Sequence, residues 1–168
     1  MLDLIIIGAG PAGLFAALTL ARAGAMPLLV ERGLPVDERR ARVERFNKFG
    51  VLDIECNIQF GEGGAGTYSD GKLKYGSMDK YKMSVLSELV KMGADEEILY
   101  STNAHVGTDK LSDIVKKIRE EIISLGGRVM FSTRLTDIKV RNGEVVGAVL
   151  ATPEGTMEVD TRAVIMAT

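Results

Sequence analysis

The apolar positions of this chain follow two patterns, unbroken short runs and stripes at helical spacing. Leu4-Ile5-Ile6-Ile7 is an unbroken run, the mark of a strand covered on both faces. Leu14, Ala17, Leu18 and Ala21 then recur at helical spacing, Gly24 stops that helix, and Pro27-Leu28-Leu29-Val30 is a second apolar run. After the turn Arg32-Gly33-Leu34-Pro35 a charged helical stretch is expected from Asp37 to about Lys48. Most of its charges read as a solvated face, with Arg39 or Arg40 within reach of a phosphate. From Asn57 to Gly76 the chain is glycine-rich and has no helical period; such irregular stretches in compact domains are functional or disordered. A helix follows around Tyr81–Met92, with Val85, Leu86, Leu89 and Val90 inward. A stronger one runs from Thr108, read as its N-cap, to Leu125. Its core stripe is Leu111, Ile114, Val115, Ile118, Ile122 and Leu125, and Gly126-Gly127 terminates it.

The last third changes period. Val129–Ser132, Leu135–Arg141, Glu144–Ala151 and Thr156–Asp160 read as strands, with tight turns at Asn142-Gly143 and Pro153-Glu154-Gly155. Ala163–Ala167 is a closing apolar strand. The expected fold is α/β: a Rossmann-like domain with a parallel central sheet and an inserted antiparallel β-meander at about 134–160. A chain of 168 residues that is 46% hydrophobic suits one core, hence one domain over 1–168. A plain nicotinamide-binding domain would place a crossover helix between the strand at Val129 and the strand at Val164. The meander in that place favours a flavin-binding domain.

The chemistry lies in two glycine-rich segments. Gly8-Ala9-Gly10-Pro11-Ala12-Gly13 completes G-x-G-x-x-G between a strand and a helix, the setting in which that motif holds a dinucleotide. Gly8 permits the tight turn, Gly10 lets backbone approach a pyrophosphate, and Gly13 lets helix pack closely on strand. The helix N-terminus, opened by Pro11 and followed by Ala12, offers unpaired N–H groups beyond the proline and partial positive charge. Glu31 ends the second strand at close to the ~20-residue interval at which an acid accepts hydrogen bonds from a ribose. In the second segment, Gly63, Gly64, Ala65 and Gly66 remove side chains where backbone must pass close to a ligand. Thr67, Ser69, Asp70 and Lys72, with Gly71 among them, then supply hydrogen bonds and a cation.

Charge and rare residues narrow the field. Twenty-one Lys and Arg against 23 Asp and Glu leave a net charge of −2, which argues against nucleic acid or an anionic membrane as partner. No run is long enough for a membrane span, and Asp3 stands where a signal peptide would carry positive charge, so a cytoplasmic location is expected. Cys56 is the only cysteine, which excludes an intrachain disulfide and a Cys-x-x-Cys redox pair. It reads as a packing residue. His105 is the only histidine, so the usual zinc ligands are lacking and no metal is expected. His105 reads as structural in its His-Val-Gly-Thr turn, with an acid–base role as the alternative. Redox chemistry here would need an organic cofactor.

These motifs resemble those of glutathione-reductase-type FAD-binding flavoproteins: the first glycine motif ending in Glu31-Arg32, the meander, and the closing Val164-Ile165-Met166-Ala167-Thr168. More narrowly, the stretch from Gln59 to Leu73 and His105-Val106-Gly107-Thr108-Asp109 resemble bacterial uncharacterised FAD-dependent dehydrogenases. The resemblance implies FAD as cofactor, a small-molecule substrate and a second electron acceptor. It implies that Thr67, Ser69, Asp70 and Lys72 face the pyrophosphate, ribityl chain and flavin edge, with Lys72 offsetting charge on reduced flavin. It also implies ligand contacts from Arg32 and Ala167, and backbone contacts from Leu135 to the adenine edge. No catalytic residue is fixed; His105 and Lys72 are the candidates. Family members are longer and carry Ala-Thr-Gly where this chain stops at Thr168. The chain is therefore expected to be the N-terminal part of a flavoenzyme, without its substrate domain and inactive alone. Its closing strand would be uncovered, which favours self-association. Two rival readings stand beside this one, an NAD-binding dehydrogenase domain and a non-catalytic dinucleotide-binding module.

Overall fold

A computed structural model describes residues 4–68, 81–101 and 105–168. Strand β1 (Ile5–Ile7) leads through Gly8–Gly10 into helix α1 (Pro11–Arg22), and β2 (Leu28–Val30) follows. Helix α2 (Val36–Phe49) ends on Gly50, whose left-handed φ of 68° closes it. A 3-10 turn at Ala65–Thr67 precedes α3 (Lys82–Lys91) and α4 (Thr108–Ser124). The remainder is β3 (Arg128–Met130), β4 (Arg134–Arg141), β5 (Glu144–Thr152), β6 (Gly155–Asp160) and β7 (Val164–Met166).

Four strands form a parallel sheet in the order β3-β2-β1-β7, and three form an antiparallel sheet in the order β4-β5-β6. This is the expected α/β fold with its meander. The reason lies in alternation. Ile6 and Leu29 pack with Leu14, Leu18, Leu86, Ile114 and Ile118 on the helical side. Ile5, Ile7, Leu28 and Val30 point the other way, onto Ala148 and Leu150 of β5. Successive side chains of a strand face opposite sides, so a strand clad on both faces must be apolar throughout. The short strands are therefore legible as solid runs. Arg22 ties α1 to α3 and α4, reaching Glu88 at 2.6 Å and Glu121 at 2.7 Å.

Asn142 (φ 54°) and Gly143 (φ 80°) both take positive φ, the requirement of a tight hairpin turn between β4 and β5. Two end-of-helix readings are corrected. Thr108 is the first residue of α4, and the capping position is Gly107 at φ 80° with no side-chain cap bond. Leu125 is 41% exposed, because α4 ends at Ser124 and Gly126 (φ 93°) turns the chain away before the stripe can reach it. Where a nicotinamide-type domain would have its crossover helix, the structure has β4, β5 and β6. Among the described residues no helix is long and apolar enough to cross a membrane.

Candidate functional site

A cleft of about 600 Å³ opens at the carboxyl ends of β1, β2 and β7. The chain leaves β1 toward β2 on one side and returns as β7 on the other. Such a reversal leaves the crevice in which open α/β sheets take their ligands. The volume lies within the ~300–1,000 Å³ of small-molecule and cofactor sites.

The first wall is the β1–α1 junction, with Gly8, Gly10, Pro11 and Ala12 lining the cleft. Its glycines have different duties. A Cβ on Gly8 would stand 2.7 Å from the Ala167 carbonyl oxygen, and one on Gly13 only 1.8 Å from that of Gly8. Those two permit close packing. A Cβ on Gly10 would meet nothing within 4 Å, so Gly10 keeps open space at the start of the helix. Helix α1 begins with proline, has no side-chain cap and no acid in its first turn. Its leading N–H groups and partial positive charge are left to attract an anion.

The second wall is the end of β2. Glu31 is 5% exposed, and its carboxylate accepts from the Ala9 N–H and the Gly33 N–H, both at 2.8 Å. Each oxygen retains a lone pair for a ligand hydroxyl. Arg32 beside it lies over the Phe60 ring at 4.9 Å, pairs with Glu55 at 2.7 Å, and donates to the Ile54 carbonyl. The third wall comes from Gln59, Phe60, Gly61 and Gly64; a Cβ on Gly64 would lie 3.2 Å from Pro11 Cδ. Thr133, Arg134 and Leu135 enter from the start of the meander, and Met166, Ala167 and Thr168 from the end of β7.

Of the residues expected from sequence, Gly8, Gly10, Pro11, Ala12, Glu31, Arg32, Gly64, Leu135 and Ala167 line this cleft. Gly13 supports it from behind. Gly63, Ala65, Gly66 and Thr67 are not among its lining. Gly63 donates its N–H to the Ala9 carbonyl and would clash with Thr67 and Val115 if it carried a Cβ. Ala65 is exposed, and Gly66 faces Leu111. Thr67 is buried, its hydroxyl donating to the Gly64 carbonyl at 2.8 Å. Ser69, Asp70, Gly71 and Lys72 lie outside the described residues. His105 is exposed and does not line the cleft, and Cys56 is buried, where desolvation pushes its thiol pKa up. Thr133 and Arg134 were not singled out from sequence, and Gln59 and Phe60 entered only as part of the stretch that carries the resemblance. The signal for them was position, within two residues of Gly61 and Leu135.

Two buried charges lie behind the third wall: Arg39, expected with Arg40 to reach a phosphate, and Glu62, which was not singled out. Neither Arg39 nor Arg40 lines the cleft: Arg40 pairs with Asp109 at 2.6 Å, and Arg39 is fully buried. The Arg39 guanidinium donates to the carbonyls of Asn57 (2.9 Å), Ile58, Glu62 and Gly64 and to the Thr67 hydroxyl (each 2.8 Å). It also lies over the Tyr68 ring at 4.7 Å. Desolvation lowers its pKa from the ordinary arginine value. Glu62 is fully buried, accepting from the Val36 N–H and from Arg119, both at 2.7 Å. Its Oε1 has no hydrogen-bond partner among the described residues. Burial pushes its carboxyl up to about 7, against the lowering effects of the Val36 N–H and Arg119.

A helix N-terminus, a tethered carboxylate and a glycine loop thus surround one cleft. Residues 1–53 match the family model described as FAD binding domain. An uncharacterized protein of Clostridium beijerinckii is 52% identical over 146 residues, 87% of this chain and 27% of that protein. The chain thus spans about a quarter of that relative's length. Thermovibrio ammonificans THI4 superposes with a TM-score of 0.61 at 18% identity, over 99% of this chain and 57% of that one. Mycobacterium smegmatis Sdh1, solved in complex with UQ1, gives 0.62 at 19% identity, over 99% and 33%. These two likenesses establish the fold.

Proposed function

We propose that this chain is the FAD-binding part of a flavin-dependent oxidoreductase acting on a small molecule. The observation that carries the reading is the shared cleft. The uncapped N-terminus of α1 and the buried Glu31 carboxylate stand on its two sides. An anion-attracting helix end and a paired acceptor for ribose hydroxyls are what the ADP half of the cofactor requires. Open space at Gly10 leaves room for a pyrophosphate, and Gly64 borders that space where it abuts Pro11. The meander behind the sheet and the FAD binding domain match over 1–53 favour FAD over NAD.

In this reading the Gly10 and Ala12 N–H groups bind phosphate at the helix start that Pro11 opens, Glu31 orients the ribose, and Arg32 and Leu135 border the adenine end. When bound, the flavin supplies the means to take a hydride or electron pair from a substrate and pass it to a second acceptor. The chain's share is to bind and orient it. The test is a titration of the protein with FAD and with NADH, following ligand fluorescence, together with the visible spectrum of the protein as purified. Flavin absorbance or saturable FAD binding is expected. A colourless protein that binds NADH tightly and ignores FAD would overturn the proposal.

A further inference from the structure

We infer that Arg39 is a positioning residue for the pyrophosphate of the ligand: from inside the protein it holds the glycine loop against the N-terminus of α1. The inference rests on the dinucleotide reading above and goes beyond it, since Arg39 does not border the cleft.

Loop 57–67 has no strand or α-helix to define its path. Its shape is instead gathered on one guanidinium, which takes carbonyls from both of its limbs, Ile58 on one and Glu62 and Gly64 on the other. Gly61 lies at the bend between them at φ 121°, so close that a Cβ would be 2.7 Å from Arg39 Cδ. Two consequences follow for an anion. The carbonyl oxygens drawn onto Arg39 are lone pairs that would otherwise be free to repel a phosphate. A planar trans peptide also points its C=O and the next N–H in opposite directions. Fixing the Gly64 carbonyl inward therefore turns the Ala65 N–H away from the guanidinium. Gly64 in turn abuts Pro11, the first residue of α1, so the loop's placement sets the width of the gap at the helix N-terminus.

The charge matters as well as the shape. Among the described residues no carboxylate bonds to Arg39; its acceptors are carbonyls and one hydroxyl. A buried cation without a contact anion adds a favourable potential for negative charge across the thin loop. Lysine would keep that charge but lacks the planar fork that gathers several acceptors at fixed angles.

The test compares ADP with adenosine, because only ADP carries the pyrophosphate and both share the Glu31 end. Binding of ADP, adenosine and FAD is measured by calorimetry for the wild type, Arg39→Lys and Thr67→Val. Arg39→Lys should weaken ADP and FAD about tenfold or more while adenosine stays within about twofold, and Thr67→Val should weaken ADP about threefold. A merely structural role would lower all three ligands together with the folded fraction, and equal losses overturn the inference. If Arg39→Lys does not fold, Thr67→Val decides by the same comparison. A wild type that binds ADP but not FAD sinks the FAD proposal and leaves this inference standing. Variants that bind ADP and FAD like a competent wild type sink the inference alone, and a wild type that binds neither sinks both.

Discussion

Glu31 is more than an acid at a strand end, because both its oxygens are already engaged within the fold. The Ala9 N–H belongs to the β1–α1 junction and the Gly33 N–H to the turn after β2, so one carboxylate pins two segments while facing the cleft. In Glu31→Gln the amide NH2 must confront one of those N–H groups, leaving a buried donor unpaired. The substitution should cost about 1–3 kcal/mol of stability. It should also weaken FAD about tenfold or more, as one acceptor for the ribose is lost. Chemical denaturation and FAD titration measure the two effects separately. Unchanged FAD affinity in a destabilised variant would reduce Glu31 to a structural pin. The acid was legible from its interval after the glycine motif. Its tether to Ala9 was not, since that bond depends on how closely β1 and β2 pair.

At the junction of strand and helix, two glycines of one motif should respond oppositely to the same methyl group. A Cβ on Gly13 would stand 1.8 Å from the Gly8 carbonyl oxygen, a backbone atom that cannot swing aside. Gly13→Ala should therefore push α1 off the sheet and cost about 3 kcal/mol or more. Gly10 has φ of −68° and open space around its Cβ direction, so Gly10→Ala should change stability by less than about 0.5 kcal/mol. Its methyl would instead occupy the space proposed for pyrophosphate, and FAD affinity should fall. Thermal unfolding with parallel FAD titration separates the pair; a stable Gly13→Ala protein would refute the packing role. The strands and helices were readable because each is driven by burial with its own period, as in the alternation of Ile5, Ile6 and Ile7 between two cores. The third wall was readable at Gly64 but not in its path. A charged helix such as α2 looks the same in sequence whether Arg39 points to water or into five acceptors. The loop it organises is shaped by those distant bonds rather than by any local period. The stripe of α4 likewise suggested Leu125, which Gly126 removes from the core.

Glu62 ties three parts of the protein together, joining the glycine loop to the start of α2 through the Val36 N–H and to α4 through Arg119. Its carboxyl titrates at about 7 in the fold against an ordinary 4.5, so the folded state holds the proton more tightly than the unfolded chain. The stabilisation is fully present below about pH 4.5 and is lost as pH rises through about 7, a span of up to about 3 kcal/mol. Wild-type melting temperature should accordingly fall relative to Glu62→Gln between about pH 5 and about pH 8. A difference between the two proteins that ignores pH would show the carboxylate ionised throughout.

The placement of β1 between β2 and β7 sets the order in which the cleft can be assembled. Ile5 pairs with Val164, so the first strand waits for a partner made about 160 residues later. At ribosomal speeds of about 5–20 residues per second, roughly 8–30 s of synthesis separate the two. Through that interval Gly8 has no Ala167 carbonyl beside it, and the crevice lacks a side. Capture of a ligand in the cleft is therefore a signal that β7 has docked against β1.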